Sequence, residues 1–307
     1  KHLMKNKDML FDENLLIEIF IKADDLCKEI ESEVFSKVLE DKTIYGGYKK
    51  PCCKMSESEI MTLLIYYHYS GYKCFEYFYC QFVANELSSY FPKLLSYNRF
   101  TEVLSCVSLP LFIFAKVLCS LSLQTGISFI DSKKIVVCHN RRIHQHKVFK
   151  GRAARGKSST GWFYGFKVHL VINEKGEILD FDLTPGNVAD NNHSLLKRIL
   201  GKVKGLCFGD KGYNTALWED FFQQGLKIIT KSKSKAKAKL MLLNERYMLL
   251  KRPLIESVND IFTSVFDLEH SRHRNPDNAL THMISAICAY CFYPEKPSVN
   301  FPNWINA

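Results

Sequence analysis

The chain has 307 residues, 47% hydrophobic and 24% charged, which excludes disorder, collagen and a coiled-coil rod as descriptions of the whole and leaves room for about two domains. Lysine and arginine total 42 against 32 acids, a formal charge of +10, so polyanions are the favoured partners: nucleic acid first, an anionic membrane surface second. Eleven cysteines follow no framework spacing and mostly sit in apolar runs, as free thiols do in a reducing compartment; a cytoplasmic location is expected.

The start, residues 1–8, is polar and has no signal-peptide pattern. Leu15, Leu16, Ile19, Phe20 and Ala23 keep helical spacing. Residues 43–55, with two glycines, a proline and lysines, read as a loop. Ser56-Glu57-Ser58-Glu59 is a capping box, and it opens a helix through Ile60, Leu63, Leu64 and Tyr67 that Gly71 ends. Phe75, Phe78, Tyr79, Phe82 and Val83 make another helix, and its aromatics are read as core. Pro92 and Ser96 introduce a helix over 97–105. The window 103–123 is long enough to span a membrane, but Pro110 and Lys116 interrupt it, so it reads as two buried helices broken at Pro110, with no membrane association.

From Gly126 the texture changes to strands. Residues 127–131 are a short apolar run ending in an acid. Residues 165–172 alternate, with Phe166, Val168, Leu170 and Ile172 on one face. A turn over 173–176 leads to a partner strand over 178–183. Then come a helix over 191–200, a strand over 206–210 that again ends in an acid, a helix over 216–224 and a strand over 227–230. A lysine-rich link over 231–239 leads to a helical stretch over 244–266, in which Pro253 predicts a kink or a fresh start. Three antiparallel strands followed by parallel units make a mixed α/β sheet flanked by helices, the element order of a ribonuclease-H-like fold. The expected organisation is an all-α domain over 1–124, an α/β domain over 125–294 and a tail over 295–307.

Metal-assisted phosphodiester cleavage needs a few carboxylates at one spot, where two ions roughly 3.5–4 Å apart clamp the attacking and leaving oxygens. Magnesium takes oxygen ligands and keeps waters, so two or three acids suffice. Asp131 follows Phe129-Ile130, and Asp210 follows Phe208-Gly209; if their strands are neighbours, the two carboxylates meet at one edge. Glu256 lies in a helical stretch and shares a face with Arg252, four residues earlier. Each acid also has a plainer reading. A strand-closing Asp often only caps a turn. Asp260 shares the helix face with Glu256 and is its natural substitute. Asp180 and Asp182 read as a solvated face. Asp190, near His193, reads either as support for the site or as a helix cap. Cys288 and Cys291 form a lone pair without a second pair to complete a zinc site.

Phe129-Ile130-Asp131-Ser132, Thr184-Pro185-Gly186-Asn187-Val188, Gly209-Asp210-Lys211-Gly212-Tyr213 and Arg252-x-x-x-Glu256 resemble the signature blocks of bacterial DDE transposases. The resemblance is to the insertion sequence 982 family, and more broadly to the insertion sequence 4 and 5 families, over about 126–294. It implies a catalytic set of Asp131, Asp210 and Glu256 holding two Mg²⁺ ions, with Mn²⁺ as substitute. It also implies cleavage and joining of DNA at terminal inverted repeats by a homodimer on paired ends, with 1–124 as the DNA-binding domain and 125–294 as the catalytic domain. The family's third block has Tyr and Lys where this chain has Leu249 and Thr263. Only 45 residues lie between Asp210 and Glu256, which leaves no room for a large inserted domain, so hairpin ends are not expected. Two other readings stay open on the residues: a nuclease without strand transfer, and a DNA-binding protein that has lost catalysis.

The charge clusters. Arg141, Arg142, Lys147, Lys150, Arg152, Arg155 and Lys157 lie between the first two predicted strands, in a segment whose glycines and serines suggest a mobile, phosphate-holding loop. Lys211 and Arg252 flank the acids, and Arg272 and Arg274 form a basic tail after the catalytic helix. Lys231 to Lys239 alternates lysine with serine or alanine, a pattern for non-specific backbone contact. Asn98 and Arg99 open a helix from which they could read base edges.

Overall fold

The computed structural model describes residues 11–31, 53–158, 160–230, 241–269 and 273–299. The chain divides into two compact units. One comprises Lys1–Ala115 with Phe262–Phe292, and the other comprises Lys116–Ile261 with Tyr293–Ala307.

The first unit is helical. Helix α1, Glu13–Glu31, buries Leu16, Ile19, Ala23, Leu26, Cys27 and Ile30, a stripe at three- and four-residue steps. Helix α2, Glu57–Tyr67, starts at the expected capping box: Ser56 Oγ accepts the Glu59 amide at 3.1 Å, and Glu59 Oε2 accepts the Ser56 amide at 2.7 Å. Gly71, at φ +68°, turns the chain away. Helix α3 is α-helical over Phe75–Tyr77 and Ala84–Glu86 and π-helical over Phe78–Val83 between them. Helix α4, Tyr97–Val103, is capped by Ser96, and a 3-10 turn, Leu104–Val107, joins it to α5, Ser108–Ser120. The predicted break at Pro110 is therefore misplaced. Pro110 sits in the first turn of α5, where its missing amide costs no helical hydrogen bond, and the break is the 3-10 turn. The stretch Tyr97–Ser120 is long and apolar enough to cross a membrane, but half of its most apolar window is buried in the protein, as in a core helix.

The last helix, α10, Pro276–Phe292, is buried along most of its length. It packs with α2 and the 3-10 turn after α4, and its Asn278 Nδ2 donates to the Thr101 carbonyl at 2.8 Å. This departs from the expected grouping of 276–292 with the sheet: a helix apolar on all sides does not announce which core it enters.

The second unit is built on one six-stranded mixed sheet: β1 Ile127–Cys138, β2 Ala154–Ser158, β3 Gly161–Asn173, β4 Ile178–Pro185, β5 Gly205–Gly209 and β6 Leu226–Thr230. Strand order is β2-β3-β1-β5-β6, with β4 also on β3. Strand β1 runs antiparallel to β3 and parallel to β5, and β5 runs parallel to β6. Strands β2 and β4 share one edge of β3 end to end; they meet so closely that a Cβ on Gly156 would stand 2.1 Å from the Gly186 carbonyl oxygen. Helix α6, His193–Leu200, covers Ile130, Val171 and Cys207 through Leu195, Leu196 and Ile199, and α7, Trp218–Gln223, adds Phe221. Helix α8, Leu243–Leu250, ends before Pro253, which opens α9, Pro253–Ser264. The mixed sheet with flanking helices is consistent with a ribonuclease-H-like domain.

Three expectations change here. The segment over 139–157 is structured rather than a mobile loop. It contains a 3-10 helix, Asn140–Gln145, then a buried Phe149 whose ring meets Phe166 edge-on at 5.6 Å, and then β2. Asp180 and Asp182 are not a solvated face, because Asp180 pairs with Lys116 and Asp182 with Arg198 at 2.7 Å. Asp190 caps no helix; Asn192 does, accepting the Leu195 amide. The alternating lysines over 231–239 lie outside the described residues.

Candidate active site

The parallel ladder between β1 and β5 ends at the pair Ile130–Gly209, so Asp131 and Asp210 are the next residue on each of two adjacent strands. Neighbouring strands lie about 4.8 Å apart, which brings the two backbones together at this point. Asp131 does not close its strand, as the sequence implied: β1 continues to Cys138, and Asp131 stays paired with Leu170 of β3. Asp210 leaves β5 and caps a 3-10 turn, Lys211–Tyr213, with its carboxylate accepting the Gly212 amide. Gly209 allows this turn to close, since a Cβ there would stand 3.0 Å from Ile130 Cγ2 and 3.2 Å from Tyr213 Cβ.

Helix α9 supplies the third acid. At its start Arg252 Nη1 lies 3.6 Å from Asp131 Oδ1, while Nη2 donates to Glu256 Oε1 at 2.9 Å. The Arg252 side chain is only 15% exposed, whereas Glu256 is 55% exposed. Burial raises the Asp131 carboxyl to about 6. Arg252 opposes that rise, and the charges of Asp210 and Glu256 add to it. The three predicted acids and Arg252 thus act on one another. Asp260, the substitute for Glu256, is exposed one turn further along α9.

A second polar cluster lies behind Asp131, on the opposite face of β1. Asp190 Oδ1 accepts Ser132 Oγ at 2.9 Å and Lys167 Nζ at 3.0 Å, and Lys167 also donates to the Val188 carbonyl at 3.0 Å. His169, fully buried, contacts Thr184 Oγ1 through Nε2 at 2.9 Å, and burial lowers it to about 4. Asp190 also approaches the Asp210 turn: its Oδ2 would lie 3.8 Å from a Cβ built on Gly212. Sequence reasoning named Asp190 but missed Lys167. The signal was available, since Lys167 and His169 interrupt an otherwise apolar strand at positions that face a core.

The cations divide by place. Arg141, Arg142, Lys147, Lys150, Arg152, Arg155 and Lys157 are all exposed in the sheet unit, and Lys211 is exposed beside Asp210. Asn98, Arg99 and Arg274 are exposed in the helical unit, with Arg99 paired to Glu102 at 2.7 Å; Arg272 lies outside the described residues.

Two aspartates and a glutamate, with Asp131 largely buried beside Arg252, suit a hard divalent cation in kind. Among the described residues no three acidic, histidine or cysteine side chains are gathered closely enough to hold one ion; the Arg252 guanidinium spans Asp131 and Glu256. Cys288 is buried and Cys291 makes no such group either. No curated protein matches the chain. Residues 121–276, just over half of it, match the family described as "Transposase DDE domain", a span that includes Asp131, Asp210, Arg252 and Glu256, and the chain belongs to that family.

Proposed function

We propose that this protein is the transposase of a bacterial insertion sequence, resembling the insertion sequence 982 family, that cuts DNA at terminal inverted repeats and joins the freed ends to a target. The observation carrying this reading is the placement of Asp131 and Asp210 at the end of one parallel strand pair, with Glu256 linked to them through Arg252. Asp131, Asp210 and Glu256 would hold the divalent ions, two Mg²⁺ or Mn²⁺. Bound there, such ions neutralise charge on the attacking and leaving oxygens and favour ionisation of the attacking water.

The chain's own residues do the rest. The backbones at Asp131 and Asp210 are held by strand pairing and by a capped turn, so only side chains need adjust when DNA arrives. In cleavage a water oxygen bonds to the scissile phosphorus and the bond from phosphorus to the 3′ oxygen breaks, leaving a 3′ hydroxyl. In joining, that hydroxyl attacks a target phosphorus and the target's own 3′ oxygen leaves. Arg252 is placed to meet phosphate oxygens once it releases Glu256. The exposed cations over 141–157 and Lys211 contact the backbone, and the helices carrying Asn98 and Arg99 read the repeats as a homodimer on paired ends. The reading sets the protein in the bacterial cytoplasm, on the nucleoid.

The test is cleavage of DNA bearing the element's ends in Mg²⁺ or Mn²⁺. Asp131→Asn, Asp210→Asn and Glu256→Gln should each lose activity by about 10²-fold or more while DNA binding is kept. Full activity in either Asp variant overturns the assignment; dead Asp260 variants beside an active Glu256→Gln would move the third acid. Cleavage of ends with no joining of precut ends would favour the plain nuclease.

A further inference from the structure

We propose that Trp162 is a stacking platform for an unpaired DNA base, with Arg155 and Lys157 holding the phosphates that flank that nucleotide. The proposal rests on the reading of the protein as one that handles DNA ends.

Trp162 stands on β3 and is 53% exposed. Its neighbours on the same face of the strand are covered. Tyr164 is buried and donates to the Phe149 carbonyl at 3.2 Å, and Phe166 meets the Phe149 ring. The segment that covers them stops short of Trp162, so the largest side chain in the row is left in water, against the usual gain from burying an aromatic ring.

What surrounds the indole is positive. Arg155 and Lys157, two residues apart on the edge strand β2, share a face; Lys157 is the direct cross-strand partner of Trp162. The Arg155 guanidinium carbon lies 5.1 Å from the ring centroid and Lys157 Nζ lies 5.7 Å from it. Both side chains are exposed, and among the described residues no carboxylate pairs with either. The backbone beneath is fixed on both sides: β2 pairs with β3 over five residues, and Asn140 Nδ2 donates to the Trp162 carbonyl at 2.7 Å.

An exposed aromatic plate with two cations of β2 close to its ring and no carboxylate paired with them matches one nucleotide of a single strand, which offers a flat π-face and flanking anionic phosphates. Duplex DNA fits this chemistry less well, because its base faces are stacked on one another. Trp162 also lies on the same face of β3 as Leu170, the partner of Asp131, eight residues away. At about 3.3 Å per residue that is roughly 26 Å, a separation that would place a base held at the indole several nucleotides from the reacting phosphate.

The test uses the full-length protein in EDTA, so that no cleavage is needed. Binding is measured to a single-stranded DNA oligonucleotide and to its duplex, with 2-aminopurine walked along the single strand. Trp162→Ala should weaken single-strand binding by about 5- to 150-fold and leave duplex binding within about 2-fold; Trp162→Phe should keep most of the affinity. One 2-aminopurine position should be quenched by the wild type and by Trp162→Phe, but not by Trp162→Ala. Circular dichroism of the variants should match the wild type, and a change there is controlled by the Phe variant. Single-strand affinity unchanged in Trp162→Ala overturns the proposal and leaves the ring as a hairpin contact. Equal losses on both DNAs also overturn it, since stacking would then contribute nothing specific. A protein that binds neither DNA overturns this inference and the transposase reading together; a protein that cleaves ends yet ignores single strands overturns this inference alone.

Discussion

Asp131→Asn should make the metal-free protein more stable while it removes activity. Burial raises this carboxyl from 3.8 to about 6 even with Arg252 beside it. A shift of about 2 units corresponds to roughly 3 kcal/mol of unfavourable ionisation in the folded state. That shift already includes the attraction to Arg252, and burying the Asn amide takes back part of the gain, so a net gain of about 1–3 kcal/mol is expected. The folded carboxyl holds its proton more tightly than the unfolded one. Between pH 4 and about 6 the unfolded chain ionises first, and the stability of the wild type falls as pH rises through that window. Asn cannot ionise, so its advantage should be absent near pH 4, grow to about pH 6 and stay level above it. At roughly 2–4 °C per kcal/mol, the melting temperature at pH 7.5 in EDTA should rise by about 2–12 °C. Thermal melts across pH, with and without Mg²⁺, read this directly: Mg²⁺ should raise the wild type and not the variant. A variant no more stable than wild type at pH 7.5, or an advantage that persists at pH 4, would falsify the view that an uncompensated carboxylate sits at this centre.

Arg252→Ala should raise Asp131 further, by about 1 unit or more, visible as a displaced titration of its carboxyl carbon by NMR; an unmoved titration would mean the 3.6 Å approach carries no charge interaction. Replacing Arg141, Arg142, Lys150 and Arg152 by Ala should flatten the log–log salt dependence of duplex binding by about two to four units, equally on random and terminal-repeat DNA. A loss confined to the repeats would mean that these side chains read bases. Ending the chain at Asn275 removes α10, with Ile284, Ile287 and Tyr290 buried to within 1% of full, and should unfold the helical unit by circular dichroism and proteolysis. Ile287→Ala alone should cost about 2–5 kcal/mol. A truncated chain with native helicity and protease resistance would show that α10 is dispensable.

What could be read from the sequence was set by how far each signal reaches. Local chemistry was visible: Ser56 and Glu59 bond as a capping box, and Pro253 opens α9. Partners distant in sequence were not. Helix α10 enters the core beside α2, some 220 residues earlier, and its apolar circumference carries no address. The three residues of β2 nearest its centre, Arg155-Gly156-Lys157, have no alternation of apolar and polar side chains. Their strand is imposed by β3 and by the Gly156 approach to Gly186, so it read as loop.

The site followed the same division. Asp131 and Asp210 stood out because each ends an apolar run, and a carboxylate there needs either a partner or a task. Their meeting depends on β1 and β5 being parallel neighbours in register at Ile130–Gly209, which no local pattern encodes. Taken singly, Lys167 and His169 are members of an alternating strand, and Asp190 reads equally as support for the site or as a helix cap. Taken together they are three polar groups on the one face of β1 and β3 that should be apolar, directly behind Asp131. Such groups are destabilising to bury unless they pair, and here Asp190 pairs with Lys167 and with Ser132, the residue after Asp131. Polar exceptions to a strand's pattern therefore mark the supports of a site as well as its reacting groups, and on this strand pair they lie within one residue of each other.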